Sequence, residues 1–281
     1  MAICAESQSK ISESFAQRGT QSKAELSAAR RIGKTSAMES AEATTSVNSK
    51  SDPIAPWWHT LLVLVLIAIG SIASWYERGL PNAHLPGVSY RLSSYITVLV
   101  EEWFVVLLIW LALRHRGVSI GSLVSGQWQT LGAFFRDLGL AVGFLVIAVP
   151  LIGGLMLLFL HFFGGNPNSA LTDITPKTAL ELVGWLGMSA TAGFCEELIF
   201  RGYLTRQFSA WTGSFVFAVV LQGIVFGLAH GYYHQAMVVI MVQGWLLGLL
   251  AWWRKSLRPG MLGHGLQDAI GGVIAFLSRS A

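Results

Sequence analysis

The chain has 281 residues, of which 53% are hydrophobic and 12% charged, about half the charged share of a soluble domain. The formal net charge of +4 is small for this length, and Lys and Arg do not cluster with aromatics, which argues against nucleic acid as a partner. The two cysteines, Cys4 and Cys195, are far apart and form no C-x-x-C motif, so neither a disulfide nor a thiolate metal site is expected.

Residues 1 to 53 are rich in Ser, Ala and Thr, nearly free of aromatics and balanced in charge. Such a segment buries too little apolar area to offset its ordering entropy and is expected to be a disordered polar tail. No apolar stretch near the start suggests a secretory signal, and Glu6, Glu13, Glu25, Glu39 and Glu42 make it too acidic for an organelle transit peptide.

Beyond the tail, the apolar residues form long uncharged runs. A helix needs roughly 20 mainly apolar residues to cross the hydrocarbon core. This places spans at 57 to 75, 95 to 113 and 138 to 160, all within a segment from 54 to 178. A fourth, at 179 to 200, opens the remaining segment from 179 to 281. Gln207 to Trp253 contains no Asp, Glu, Lys or Arg, which allows two crossings joined near the Gly231 to Gln235 turn; a last span runs from Pro259 to Leu277. Strand alternation is weak, and lipid demands that backbone polar groups be satisfied internally, so the expected fold is all-α, a transmembrane helix bundle of about seven spans.

With seven spans, Lys50, Arg114, Arg116, Arg136, Arg206, Arg254, Lys255 and Arg258 fall on one side and Arg78, Arg91, Lys177 and Arg279 on the other. The richer side is expected to be cytoplasmic, and the N-terminus with it. Trp57, Trp58, Trp252 and Trp253 near span ends fit an aromatic belt.

Ionisable groups inside spans are costly, about 2.5 to 3.5 kcal/mol each even on a lenient insertion scale, and so mark function by default. Glu196 and Glu197 end the fourth span, His230 ends the fifth, and His264 and Asp268 lie in the last. Glu197 and Arg201 share a helix face at i, i+4 and are expected to form a structural ion pair at the site. Glu196 lies about 100° around the helix and has no local cation, which leaves it free as a general base. His264 and Asp268 also share a face, so the aspartate can orient the imidazole, or both can approach one ligand. If the fourth and fifth helices form a hairpin turning near Thr212, Glu196 and His230 lie about 24 and 27 Å from that turn, at similar depth. For the last helix to bring His264 alongside them, the stretch from Arg201 to Ala210 is expected to leave the bilayer or lie on its surface, with the site opening toward the cytoplasm.

Glu101 and Glu102 interrupt the second span and join no motif; lining the bundle interior and sitting at a helix end near water both fit them. Cys195 is expected to be a small buried residue, and His234 a rim residue in an interfacial turn.

Taken together, these residues resemble the signature motifs of the CAAX protease and bacteriocin-processing family: E-E-x-x-x-R as Glu196, Glu197 and Arg201; F-x-x-x-H as Phe226 and His230; H-x-x-x-N or H-x-x-x-D as His264 and Asp268. The resemblance covers residues 179 to 277. It implies an intramembrane endopeptidase acting on a peptide or membrane-protein substrate at the lipid bilayer, in the bacterial members at the cytoplasmic membrane. By resemblance, Glu196 and His230 would activate a water, and His264 with residue 268 would stabilise the oxyanion. An ionised Asp268 can only accept hydrogen bonds, so it must be protonated, hold His264 in position or ligate a metal; orienting His264 is the favoured role. The cofactor stays open, because Glu196, His230 and His264 would also make a zinc set with water in the open position. Two other functions compete: a non-proteolytic scaffold or bacteriocin self-immunity protein, and a proton-coupled transporter. All motif residues are present, which argues against the first, and no internal repeat or paired broken helix supports the second.

Overall fold

A computed structural model describes residues 52–77, 87–125, 127–164 and 172–278. The polar tail, except for its last two residues, lies outside the described residues, as do Arg78 and Arg279. Among the described residues the structure is helical and contains no strand. In chain order come α1 (Trp57–Glu77), α2 (Tyr90–His115), the short α3 (Ile120–Val124), α4 (Leu131–Phe163) and α5 (Ala179–Glu196). A π-helical segment, Glu197–Leu204, runs directly into α6 (Thr205–Thr212). Then follow α7 (Phe215–Ala229), a 3-10 turn (Gly231–Ala236), α8 (Met237–Arg254) and α9 (Arg258–Ser278).

The protein is an integral membrane protein. Among the described residues, four segments qualify as membrane spans by length and composition, at Trp57–Tyr76, Tyr90–His115, Leu131–Phe163 and Gly231–Arg254, short of the seven expected; α7 is apolar but shorter. The shortfall lies in α5 and α9, where Glu181, Glu196, His264, Gln267 and Asp268 dilute the apolar residues. The outward faces are apolar as lipid requires: Val146, Ile147, Leu157 and Phe162 of α4 are exposed, as are Ile69 and Ile72 of α1. The 33 residues of α4 make a helix about 50 Å long, well over a hydrocarbon thickness of about 30 Å, so it must tilt or protrude. Trp57, Trp58, Trp252 and Trp253 are exposed at helix ends, where an aromatic belt would sit.

Lipid gives helices no hydrophobic reason to associate, so close packing and polar clamps must do so. Where α8 crosses α7, a Cβ on Gly244 would come within 2.9 Å of the Gly223 Cα, and one on Gly227 within 2.7 Å of the Met237 carbonyl oxygen. Likewise α5 crosses α9 at Gly193, where a Cβ would lie 2.6 Å from the Met261 carbonyl oxygen and 2.7 Å from the Gly265 nitrogen. Both obstacles are backbone, so Gly193→Ala must push α5 and α9 apart. Thermal unfolding in detergent should report a loss of about 1 to 3 kcal/mol; unchanged stability would mean that the two helices do not meet at this crossing.

Polar side chains fix the ends. Asp137 of α4, fully buried, receives Trp128 Nε1 at 3.0 Å, Arg258 Nε at 3.1 Å and Arg254 Nη2 at 3.2 Å, which ties α4 to the junction of α8 and α9. Gln207 of α6 donates to the Ala55 carbonyl at 2.9 Å and to Thr60 Oγ1 at 2.7 Å, and accepts from the Ala55 amide at 3.1 Å. The stretch from Arg201 to Ala210 is packed against the rest of the protein: apart from partly exposed Arg206 and Ser209 its residues are buried, because Gln207 and Tyr203 dock it against the start of α1.

Candidate active site

The segment that carries both glutamates begins with a capping box. Thr178 Oγ1 accepts from the Glu181 amide at 3.2 Å while the Glu181 carboxylate accepts from the Thr178 amide at 3.0 Å, which sets the start of α5. Eighteen residues later the helix changes from α to π winding, with Glu196 the last α residue and Glu197 the first π residue. The amide of Thr205 bonds the Phe200 carbonyl five residues back. Such wider turns concentrate at functional sites, and here one begins between the two acids.

Glu197 and Arg201 are both buried, with Arg201 Nη1 2.9 Å from Glu197 Oε1. The guanidinium stacks over Phe226 at 4.1 Å and donates from Nη2 to the Gly244 carbonyl at 3.3 Å. Phe226 also packs beside His230, with ring centroids 4.6 Å apart, and edge-on to His264 at 5.8 Å. The Phe of the F-x-x-x-H spacing is thus the floor on which the cation and both imidazoles rest.

His230 caps α7. Its Nδ1 meets the Phe226 carbonyl at 2.7 Å, and since a carbonyl only accepts, Nδ1 carries the proton. The Nε2 of neutral His230 is therefore a lone pair, and it faces Glu196 Oε2 at 3.9 Å. His264 of α9 approaches the same oxygen, Nε2 to Oε2 at 3.8 Å, and its Nδ1 lies 3.1 Å from Glu197 Oε1. Asp268 Oδ2 lies 3.7 Å from His264 Nε2. His264 thus has Glu197 close to Nδ1 and Asp268, four residues on along the same face, near Nε2. Glu197 reaches further than one ion pair, since its Oε1 serves both Arg201 and His264.

These side chains border one cavity of about 1760 Å³, into which Glu196, His230, His264, Asp268, Glu101 and Glu102 all face. Its other walls are mostly apolar, from α1, α2, α4 and α9. Glu102 is the residue that spacing alone could not place: it is 9% exposed, and its carboxyl meets that of Glu196. Cys195 is buried beside Glu196, and His234 packs edge-on against Trp75 at 4.3 Å, outside the cluster.

A zinc ion does not fit these residues as arranged. Among the described residues, no group of three His, Cys, Asp or Glu side chains could hold a metal ion. Ligands about 2.0 to 2.2 Å from a tetrahedral zinc stand about 3.3 to 3.6 Å apart. The Glu196 to histidine separations, 3.8 and 3.9 Å, are wider.

With that geometry, the comparison with known families becomes informative. Residues 178–270 match the family model described as Rce1-like, type II CAAX prenyl endopeptidase. The match is consistent with the CAAX protease and bacteriocin-processing family that the three motifs resemble. No curated protein and no solved structure matches the chain. The Rce1-like region begins at the capping residue Thr178 and includes the π segment, Phe226, both histidines and Asp268. The family so described is one of endopeptidases, and the match spans residues 178–270 of the 281. Glu102 lies outside the Rce1-like region.

Proposed function

We propose that the protein hydrolyses a peptide bond close to the membrane surface with a water activated by Glu196 and His230. The observation that carries this reading is the separation of 3.9 Å between Glu196 Oε2 and His230 Nε2, two acceptors at the wall of one cavity. A water about 2.8 Å from each can donate one of its two hydrogens to each of them at once. As its oxygen bonds to the substrate carbonyl carbon, its proton passes to Glu196 and the carbonyl electrons move onto oxygen. His264 holds that oxyanion: with Nδ1–H committed to Glu197, it donates from Nε2 as an imidazolium, and Asp268 at 3.7 Å supports the charge. Collapse of the tetrahedral intermediate breaks the C–N bond, and Glu196 returns the proton to the leaving nitrogen.

The substrate is a peptide segment held at the bilayer, for which the matched family name suggests a lipidated C-terminus, and the apolar walls of the cavity suit such a chain. Purified protein in liposomes with a fluorogenic, membrane-anchored peptide is the test. Cleavage should proceed at the same rate with and without chelator. Cleavage lost on chelation and restored by zinc would replace the glutamate mechanism with a metal one, and no cleavage of prenylated or unmodified anchored peptides would overturn the proteolytic reading.

A further inference from the structure

Glu102 stands at the middle of α2, 12 residues from its first residue and 13 from its last, so about 18 Å of helix separates it from either end. It is nine-tenths buried, and among the described residues neither carboxyl oxygen meets an N–H or hydroxyl donor. The same is true of Glu196 Oε2. Yet the two carboxyl groups touch. Two ionised carboxylates are acceptors only, and pressed together they can form no hydrogen bond. One proton between them turns the contact into an O–H···O bond, among the stronger kinds, and partners one oxygen of each carboxyl.

The charges around the cavity require the same thing. Glu102 faces Glu196 across the contact, Asp268 from α9, and its neighbour Glu101 on α2, with Cys195 adjoining from α5. The one guanidinium at the cluster, Arg201, is already paired with Glu197. Even with His264 as an imidazolium, Glu102, Glu196 and Asp268 would hold three negative charges against one positive, and the Glu102 oxygens are buried away from solvent that could screen them.

We infer that Glu102 is a positioning residue, which as a carboxylic acid donates a hydrogen bond to Glu196 and fixes the carboxylate that activates the water. This rests on the proteolytic reading above. Glu102 does not touch the reacting atoms; it holds Glu196 so that Oε2 stays between the two imidazoles. No net proton transfer is involved, since the acid proton remains on Glu102 throughout the cycle.

The test compares wild type with Glu102→Gln and Glu102→Leu in liposomes, with two readouts. In kinetics, the amide of the glutamine variant can still donate to Glu196, so kcat should fall only a few-fold. The leucine variant cannot donate and should lose about tenfold to a hundredfold in kcat with KM unchanged, as misplacement of a catalytic group does. In infrared spectra at neutral pH, the C=O stretch of a buried carboxylic acid should be present in wild type and missing from Glu102→Gln. A leucine variant with wild-type kcat, a glutamine variant as impaired as the leucine one, or a glutamine variant with no acid band lost would each overturn the inference. Should wild type cleave no peptide, the proteolytic reading falls by itself, while the infrared comparison still decides whether Glu102 carries the proton.

Discussion

Replacing Glu196 with glutamine should abolish peptide cleavage while the protein accumulates in the membrane as wild type does. Glutamine keeps the shape of the side chain and removes the proton acceptor. General-base catalysis contributes about 10² to 10⁴-fold, and a base that also positions its water belongs near the top of that range. Stability should not suffer. Glu196 lies with 17% of its side chain exposed, near the Asp268 carboxylate, and a neutral amide in that place relieves the repulsion between those two groups and costs less to bury than a carboxylate. The amide oxygen can still accept from Glu102. Cleavage of the anchored peptide, normalised to protein recovered in detergent, checks the first half, and thermal unfolding checks the second. Full activity in this variant would remove Glu196 as the base.

The class of fold could be read from the sequence because it depends on composition over 20-residue windows, and the runs at α1, α2 and α4 are long enough to average out single polar residues. The span count could not. In α5 and α9 the same polar residues that draw attention as site candidates pull the helices below the standard of a plain membrane span. Local spacing carried the contacts that a helix itself enforces: Glu197 and Arg201 are four apart and meet at 2.9 Å. It said less about contacts between helices. Spacing brings Asp268 to His264 on the same face, but it gives no sign that Glu197, 67 residues away, lies nearer at 3.1 Å. The change to π winding after Glu196 has no signal in residue type, and it alters where the following side chains point. Glu102 is the extreme case, since nothing within α2 says which helix its carboxyl will meet.

Arg201→Ala should lower the amount of protein before it lowers the activity per molecule. The guanidinium is buried, bonded to Glu197 Oε1 at 2.9 Å and the Gly244 carbonyl at 3.3 Å, and stacked on Phe226 at 4.1 Å. Removing it breaks a buried pair and leaves Glu197 with His264 but without its guanidinium, and loss of one partner of a buried pair typically costs about 3 to 5 kcal/mol. The truncation also opens a gap over Phe226, on which both imidazoles rest. Lysine would keep the charge but lose the planar stacking and the forked donors, so Arg201→Lys should fall between wild type and alanine. Pulse-chase turnover in cells should be fast for the alanine variant and intermediate for lysine. The molecules that survive should cleave more slowly as well, though by less than in Glu196→Gln, because Glu197 also bonds His264 and a shift in its carboxylate moves the imidazole that would hold the oxyanion. Normal turnover combined with lost cleavage would show that Arg201 acts on the reaction itself, which would move it from the supporting ion pair into the catalytic set.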